Sequence, residues 1–541
     1  MGDFDKVLKN CRVLNVRTGG IEKGDIAFKD GLIAAVGGDL GEGEDCGGLF
    51  ALPGFIDAHV HIESSQLISS RFAEAIMPCG TTTIIADPHE IANVCGMDGI
   101  NFMIADAAST PLEVRMMMPS CVPASPAESG GAVLDAHEVA KALARDDIFG
   151  LGEMMNYPGV TGGDADVLGK LAAARAAKKP IDGHFPGGKG LELAAYAAEG
   201  ISSDHECNDA DEARDKLAAG MDVFIRQGSA GKQLLSILPA VNKENISRFS
   251  LCTDDCHAAD IVNFGHIDHI LAQAVAAGVS AADAVRMATL SPAEHYSLNC
   301  GAIEMGRQAD VVLVSDLKNF KPVYVYKKGK LVAVKGRALF EVTPADMSKV
   351  KNTLHMPPVT KDKLALKGAA RRSALKIKAG SLVKELTAFK EGLPKLCVAE
   401  RHKNTGRAGV CALAGYGVKG GAIALSVSHD SHNVICAGDS DKDMCLAINS
   451  LMPMGGGICV VKEGKLALSL ALPVAGLMSC APAERVAADM TQINEFCKKQ
   501  LHVNAEAEPV MTLSFLALTV IPHVCLTDRG LFDVDKFCFL Q

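Results

Sequence analysis

The sequence predicts an α/β protein: a (β/α)8 barrel flanked by a small β-sandwich built from two separated segments, plus a C-terminal α/β domain. Three observations carry this prediction. Eight short apolar runs alternate with Ala- and Leu-rich stretches of helical length through residues 51–301, the pattern of repeated strand–helix units. Glycine-punctuated, strand-like runs stand on both sides of that region. The chain has 541 residues, too many for one compact domain and enough for about three to four.

Taken in order, residues 1–50 hold the short runs 13–16, 26–28 and 32–36, separated by glycines. The same texture returns at 310–314, 322–326 and 328–332, so residues 1–50 and 302–341 are expected to close one small sandwich around the inserted barrel. The eight barrel runs are 52–57, 81–87, 113–120, 148–154, 180–186, 200–206, 222–229 and 249–255. Most end in or near an acidic residue, a histidine or another polar residue. Stretches such as 166–178 and 208–219 read as the intervening helices. A doubly wound sheet is the structural alternative, but no G-x-G-x-x-G follows an early strand. Residues 342–395 are Lys-rich, with a break at His355-Met356-Pro357-Pro358, and read as a linker region carrying a helix or strand. Residues 396–541, rich in Gly, Ala and Val, form the last domain.

Composition excludes several classes. Apolar residues make up 48% and charged residues 22%, which supports a large core and rules out a disordered chain. The charge sum of 54 minus 64 gives −10; without a basic run and with no Trp, nucleic acid is not the expected partner. No two of the 18 cysteines form a C-x-x-C pair, which removes zinc ribbons, ferredoxin-type clusters and thioredoxin-type motifs. The opening Met1–Lys6 has no apolar run of a signal peptide. The uncharged run Leu466–Ala483 is long enough to test as a membrane span, but Pro473, Gly476 and Pro482 fit buried strands and a turn better. A reducing, cytoplasmic, soluble protein with no membrane partner is expected.

The densest chemical signal is Pro53-Gly54-Phe55-Ile56-Asp57-Ala58-His59-Val60-His61. Strand alternation sends His59 and His61 to one face, and two imidazoles at a strand end form half of a metal site. Further candidate ligands stand at other strand ends: Glu153, Asp182 and His184, Asp204 and His205, and Asp254 with Asp255. Singly, each would more often be a hydrogen-bonded or solvated residue; together with His59 and His61 they place four histidines at strand termini beside the carboxylates Glu153 and Asp254. His61-Ile62-Glu63 also looks like half of the cytidine-deaminase zinc signature, but the P-C-x-x-C half is missing.

These motifs resemble the amidohydrolase superfamily and, within it, the bacterial adenine deaminase family. The matching stretches are 53–65, Ala86-Asp87-Pro88-His89-Glu90-Ile91, 152–160, 182–184, 226–230, 252–255 and 265–268, with Val427-Ser428-His429-Asp430-Ser431-His432-Asn433 and 472–479 in the last domain. The resemblance covers the barrel and the terminal domain and is least clear in the Lys-rich segment. It implies hydrolysis of adenine to hypoxanthine and ammonia, for purine salvage or catabolism, by a metal-activated hydroxide at a binuclear centre. The fourth run has no Lys to carboxylate, so Glu153 takes the bridging place. His59, His61 and Asp254 would hold one ion and His184 and His205 the other. The ions expected are Mn(II) or Fe(II), with Zn(II) as the remaining option. A homo-oligomer, a dimer, is expected.

Roles carried over by the resemblance are proton transfer for Asp254 and ring protonation for Glu90 or Asp255. Glu63, His89 and Glu90 are substrate-binding candidates. Glu63 occupies a place where dihydroorotase-like relatives carry Arg; it either accepts hydrogen bonds from the substrate or is a solvated or supporting carboxylate. His89 positions the purine, shuttles a proton, or caps the next helix. His429 and His432 cover the pocket, bind another metal, or are structural. His266 and His269 read as packing or supporting residues, and His137, His402 and His502 as surface residues. Two competing readings are a cyclic-amide or N-acyl hydrolase using the same metal pair, and a scaffold without activity.

Overall fold

The structure is a computed structural model and describes residues 4–378 and 383–541; the start of the Met1–Lys6 segment and part of the Lys-rich region lie outside the described residues. Eight parallel strands form the barrel: Phe55–His61, Thr81–Ala86, Glu113–Met118, Gly150–Met154, Ile181–Gly183, Ser203–Asp204, Asp222–Arg226 and Phe249–Cys252. The eighth runs on into Asp254–Asp255, which pairs with the first strand in the register Asp254↔Val60 and Asp255↔His61. Between the fifth and sixth strands the closure narrows to a backbone bond from Ser202 N–H to the Ile181 carbonyl, 3.0 Å. Ile56, Ala58, Ile85, Met117, Phe224 and Cys252, drawn from five strands, pack with Ala293 and Tyr296. Side chains from so many strands meet only inside the barrel, so its interior is a filled core beneath the site.

The two flanking segments join in one continuous nine-stranded sheet. Its link is Phe50–Pro53, antiparallel to Val311–Val314 and parallel to Lys6–Leu14. Run 52–57 of the sequence therefore straddles two strands of different sheets. Gly54 makes the turn: a Cβ there would sit 2.2 Å from Thr82 Oγ1, so only glycine lets the chain cross this closely.

The last part is an eight-stranded sheet. Alternation along Lys395–Ala399 sends Cys397 and Ala399 toward helix Asp441–Leu451, and Leu396 and Val398 into a core continuous with the barrel. Two of its strands, Ser373–Ile377 and Lys384–Ala388, come from the Lys-rich stretch, so that stretch is more than a linker. It reads as one because Lys384–Ala388 is the edge strand, its Glu385, Leu386 and Ala388 exposed, and Lys376 of the neighbouring strand also faces outward. The run Leu466–Ala483 supplies one strand, Lys465–Ala471, at the opposite edge, with Leu466 46% exposed, and then a buried irregular segment. The expectation of several buried strands there was too simple. Among the described residues no helix is long and apolar enough to cross a membrane.

Candidate active site

The strand ends deliver their polar side chains to one buried spot. His61 Nδ1 lies 2.9 Å from the Asp87 carbonyl. That contact puts the ring proton on Nδ1 and leaves the Nε2 lone pair facing inward. There Nε2 stands 3.2 Å from His59 Nε2, 3.1 Å from Glu153 Oε1 and 3.1 Å from Asp254 Oδ1. The other Glu153 oxygen, Oε2, is 2.5 Å from His184 Nδ1 and 3.2 Å from His205 Nε2. His59 stacks on His205 with ring centroids 4.0 Å apart. The six expected metal ligands thus converge, and the Glu153 carboxylate lies between the two groups of imidazoles; Asp182 and Asp204 do not join them, Asp182 accepting from Tyr296 Oη at 2.7 Å and Asp204 pairing with Lys216 Nζ at 2.9 Å.

The surroundings fix these groups in place. Asp87 Oδ2 accepts the Glu153 N–H at 2.9 Å and lies against Gly152, where a Cβ would come within 2.1 Å of it. Burial would raise the Glu153 carboxyl, yet the charge of His184 and its hydrogen bond hold it well below the usual carboxylate range. Asp254 is also buried, and Arg226 Nη1, 2.7 Å from its Oδ2, wins over that burial and keeps it ionised.

The candidate groups fit divalent cations. Three overlapping triads — His59, His61 and Glu153; His59, His205 and Asp254; Glu153, His184 and His205 — keep their donor atoms within 4.8 Å of one another. Facing imidazole nitrogens and a buried His205 Nε2 with no hydrogen-bond partner are what a nitrogen donor set for a borderline metal looks like.

The remaining candidates separate. His89 stands over the centre, its Nδ1 3.3 Å from Glu153 Oε1. Glu90 is gripped by both imidazoles of the last domain, His429 Nδ1 on one oxygen and His432 Nε2 on the other. Ser428 N–H points at His432 Nδ1 from 3.1 Å, which puts that ring's proton on Nε2 and makes it a donor to Glu90 with no lone pair there for a metal. Burial would raise Glu90, but the two imidazoles hold it well below the usual range. Asp255 lines the pocket and accepts a hydrogen bond from Ser64. Glu63 lies off the main pocket: its Oε1 accepts the Ile91 N–H at 3.0 Å in the first turn of helix His89–Ala107, and burial pushes it up to about 7. His266 is buried against Thr81 and Asp57. His402 is only partly exposed, its Nε2 2.7 Å from the Ser431 carbonyl, so it is not a free surface residue. His137 and His502 are exposed.

Comparison with known proteins accounts for the whole chain. The amidohydrolase family matches residues 50–332, and the adenine deaminase C-terminal domain matches residues 369–538. Adenine deaminase 2 of Desulfotalea psychrophila is 44% identical over 555 residues, covering 99% of this chain and 96% of the relative. The adenine deaminase of Nitratidesulfovibrio vulgaris is 44% identical over 550 residues, with coverages of 99% and 96%. The chain belongs to the adenine deaminase family. Among solved structures, a beta-aspartyl dipeptidase from Fervidobacterium islandicum AW-1 aligns with TM-score 0.48 and 17% identity over 63% of this chain and 99% of that one.

This adenine deaminase family member encloses a cavity of about 280 Å³ lined by His61, His89, Glu153, His184, Asp254 and Asp255 on the barrel side. Across from them stand His429, Asp430, Phe515, Leu518, Val520 and Ile521 of the last domain. Sequence reasoning missed Arg226, Glu206, Asp430 and the apolar 515–522 wall. Arg226 and Glu206 stand at or just beyond strand ends, the same signal that picked out the ligands, but neither is a His or Asp in a metal-like motif. The wall lies about 260 residues from the barrel end of its strands in sequence, and no local pattern marks it.

Proposed function

We propose that this chain hydrolyses adenine to hypoxanthine and ammonia at a centre holding two divalent cations. One observation carries the reading: in a chain 44% identical to adenine deaminases over nearly its full length, the four histidines and two carboxylates expected at strand ends meet around Glu153. His59, His61 and Asp254 would hold one ion, His184 and His205 the other, and Glu153 both; Mn(II) or Fe(II) is our first choice and Zn(II) the alternative. When bound, such ions supply an ionised water near neutral pH by lowering its pKa.

The residues supply the rest. Asp254, kept anionic by Arg226, takes the proton from the attacking water and passes it to the departing amine. Oxygen replaces nitrogen at C6, and the amine leaves as ammonia. Because His429 and His432 hold Glu90 as a carboxylate, we assign it to accepting substrate N–H groups and assign ring protonation to Asp255. His89 positions the purine face. Glu63, engaged with the Ile91 N–H, is assigned to holding the start of helix His89–Ala107. The wider reading includes a sandwich of 1–50 and 302–341, a barrel of 51–301, a Lys-rich connection of 342–395, a terminal domain of 396–541, a homodimer, and a cytoplasmic enzyme of purine salvage.

The test is ammonia release from adenine by metal-loaded protein, run beside Glu153→Gln with metal content measured on both. Cytosine, guanine and cyclic imides serve as competing substrates. Two bound metals with no ammonia from adenine would overturn the reading, and equal activity in the two proteins would overturn the role of Glu153.

A further inference from the structure

Asp430 sits between strands Gly421–Leu425 and Val434–Gly438 of the terminal domain, yet its carboxylate belongs to the barrel's cavity wall. It is 5% exposed, and Oδ2 is buried with no hydrogen-bond partner. Among the described residues the only cationic or potentially cationic side chain within ion-pair range is His89, whose Nε2 is 3.9 Å from Oδ1. A desolvated carboxylate oxygen without a donor is costly. Such an oxygen in a pocket wall calls for a donor on the ligand.

Position says which donor. The other end of the His89 ring faces Glu153, with Nδ1 3.3 Å from Oε1. The His89 ring, with its contact at each end, therefore spans from the carboxylate at the metal centre to Asp430. A purine lying along that ring, with C6 at the Glu153 end, reaches Asp430 with its opposite edge. Neutral adenine carries one ring N–H besides its leaving amine, on the imidazole portion, and a carboxylate oxygen is its complement. We propose that Asp430 accepts this ring N–H and so makes the site selective for the free base over purines substituted at N9. The assignment rests on the adenine deaminase reading above.

The apolar residues of the same wall, Phe515, Leu518 and Val520, offer no polar group to satisfy Asp430 in place of the missing N–H. A site built to bond an N–H rejects analogues lacking it by roughly 10⁴-fold or more.

The experiment uses the metal-loaded full-length chain. Ammonia release is measured with adenine and with 9-methyladenine, for wild type and for Asp430→Asn, with metal content checked in both proteins. Wild type is expected to prefer adenine by about 10⁴ in kcat/KM. Asp430→Asn is expected to raise KM for adenine at least about tenfold, change kcat less, and narrow the preference by at least about tenfold at full metal content. Wild-type rates within about tenfold for the two substrates would overturn the proposal. So would Asp430→Asn with wild-type KM and undiminished preference. If the variant fails to fold, the wild-type comparison and the same pair of substrates with Asp430→Glu, which keeps the acceptor, decide. No ammonia from adenine at all would instead sink the reading of the function.

Discussion

Arg226 binds two carboxylates at once, Asp254 at 2.7 Å and Glu206, and it is buried enough that both contacts are made in a poorly screened setting. Its guanidinium is what lets a buried aspartate stay ionised beside Glu153. Arg226→Gln should lower kcat/KM or metal affinity by about 10–100-fold, the usual cost of losing a group that orients a metal ligand, without a matching loss in melting temperature. Steady-state rates and metal titration would check it, and an unchanged rate would mean Asp254 needs no help. Gly152 makes a sharper case. Gly152→Ala pushes a methyl into Asp87 Oδ2 and so displaces the bond that sets the Glu153 backbone. We expect metal content to fall by a similar factor of roughly 10–100, measured on protein that still shows its native circular dichroism.

At the level of elements, the barrel could be read from sequence because each strand is a short apolar run ending in a polar residue, and each run repeats one physical demand. His59 and His61 were legible for the same reason, since period-two alternation fixes their shared face. What could not be read is what depends on contacts across the fold. Residues 50–53 and 55–61 look like one apolar run because Gly54 shows its necessity only against Thr82. The edge strand Lys384–Ala388 looks like linker because most of its side chains face outward, Glu385, Leu386 and Ala388 being exposed, so no alternating apolar pattern marks it. Lys384 is the exception, a fully buried lysine whose Nζ donates to the carbonyls of Phe515 at 3.2 Å and Leu518 at 3.1 Å. It thereby ties the pocket wall to the sheet. Burial pulls its pKa down to about 8, from 10.5. The folded state then binds fewer protons than the unfolded one between pH 8 and 10.5, so this site opposes folding fully below about pH 8 and less as pH rises toward 10.5. Wild type should gain stability relative to Lys384→Met across that window. Urea midpoints of both proteins from pH 7 to 10.5 would check it, and parallel curves would refute it.

Across the whole molecule, two kinds of seam join the parts. Barrel and terminal sheet share one apolar core, and the site straddles it, because Glu90 on one side is held by His429 and His432 on the other. Neither half alone contains the complete pocket. The flanking sheet also feeds that core, through Leu14, Val312, Val314 and Val332, and is fastened in addition by a buried lysine. Lys327 Nζ is 2.7 Å from Asp310 of its own sheet and 2.9 Å from Glu113 on the third barrel strand. Burial would raise the Glu113 carboxyl, but Lys327 outweighs it and holds the group at about 2. Its stabilising contribution is therefore complete above the unfolded value near 4.5 and is lost as pH falls through about 2. Removing the lysine leaves Asp310 without its cation and Glu113 with only Arg115 and the more distant Lys328, a change that costs about 3–5 kcal/mol when a buried pair is broken. Lys327→Met should lower the thermal midpoint markedly at pH 7, and the gap from wild type should narrow as pH drops below about 4.5, where protonation begins to relieve the two carboxylates. Calorimetry at pH 7, 5 and 3.5 tests both halves of this expectation. A constant gap would mean that packing around the lysine stem, rather than its charge, fastens the sheet to the barrel.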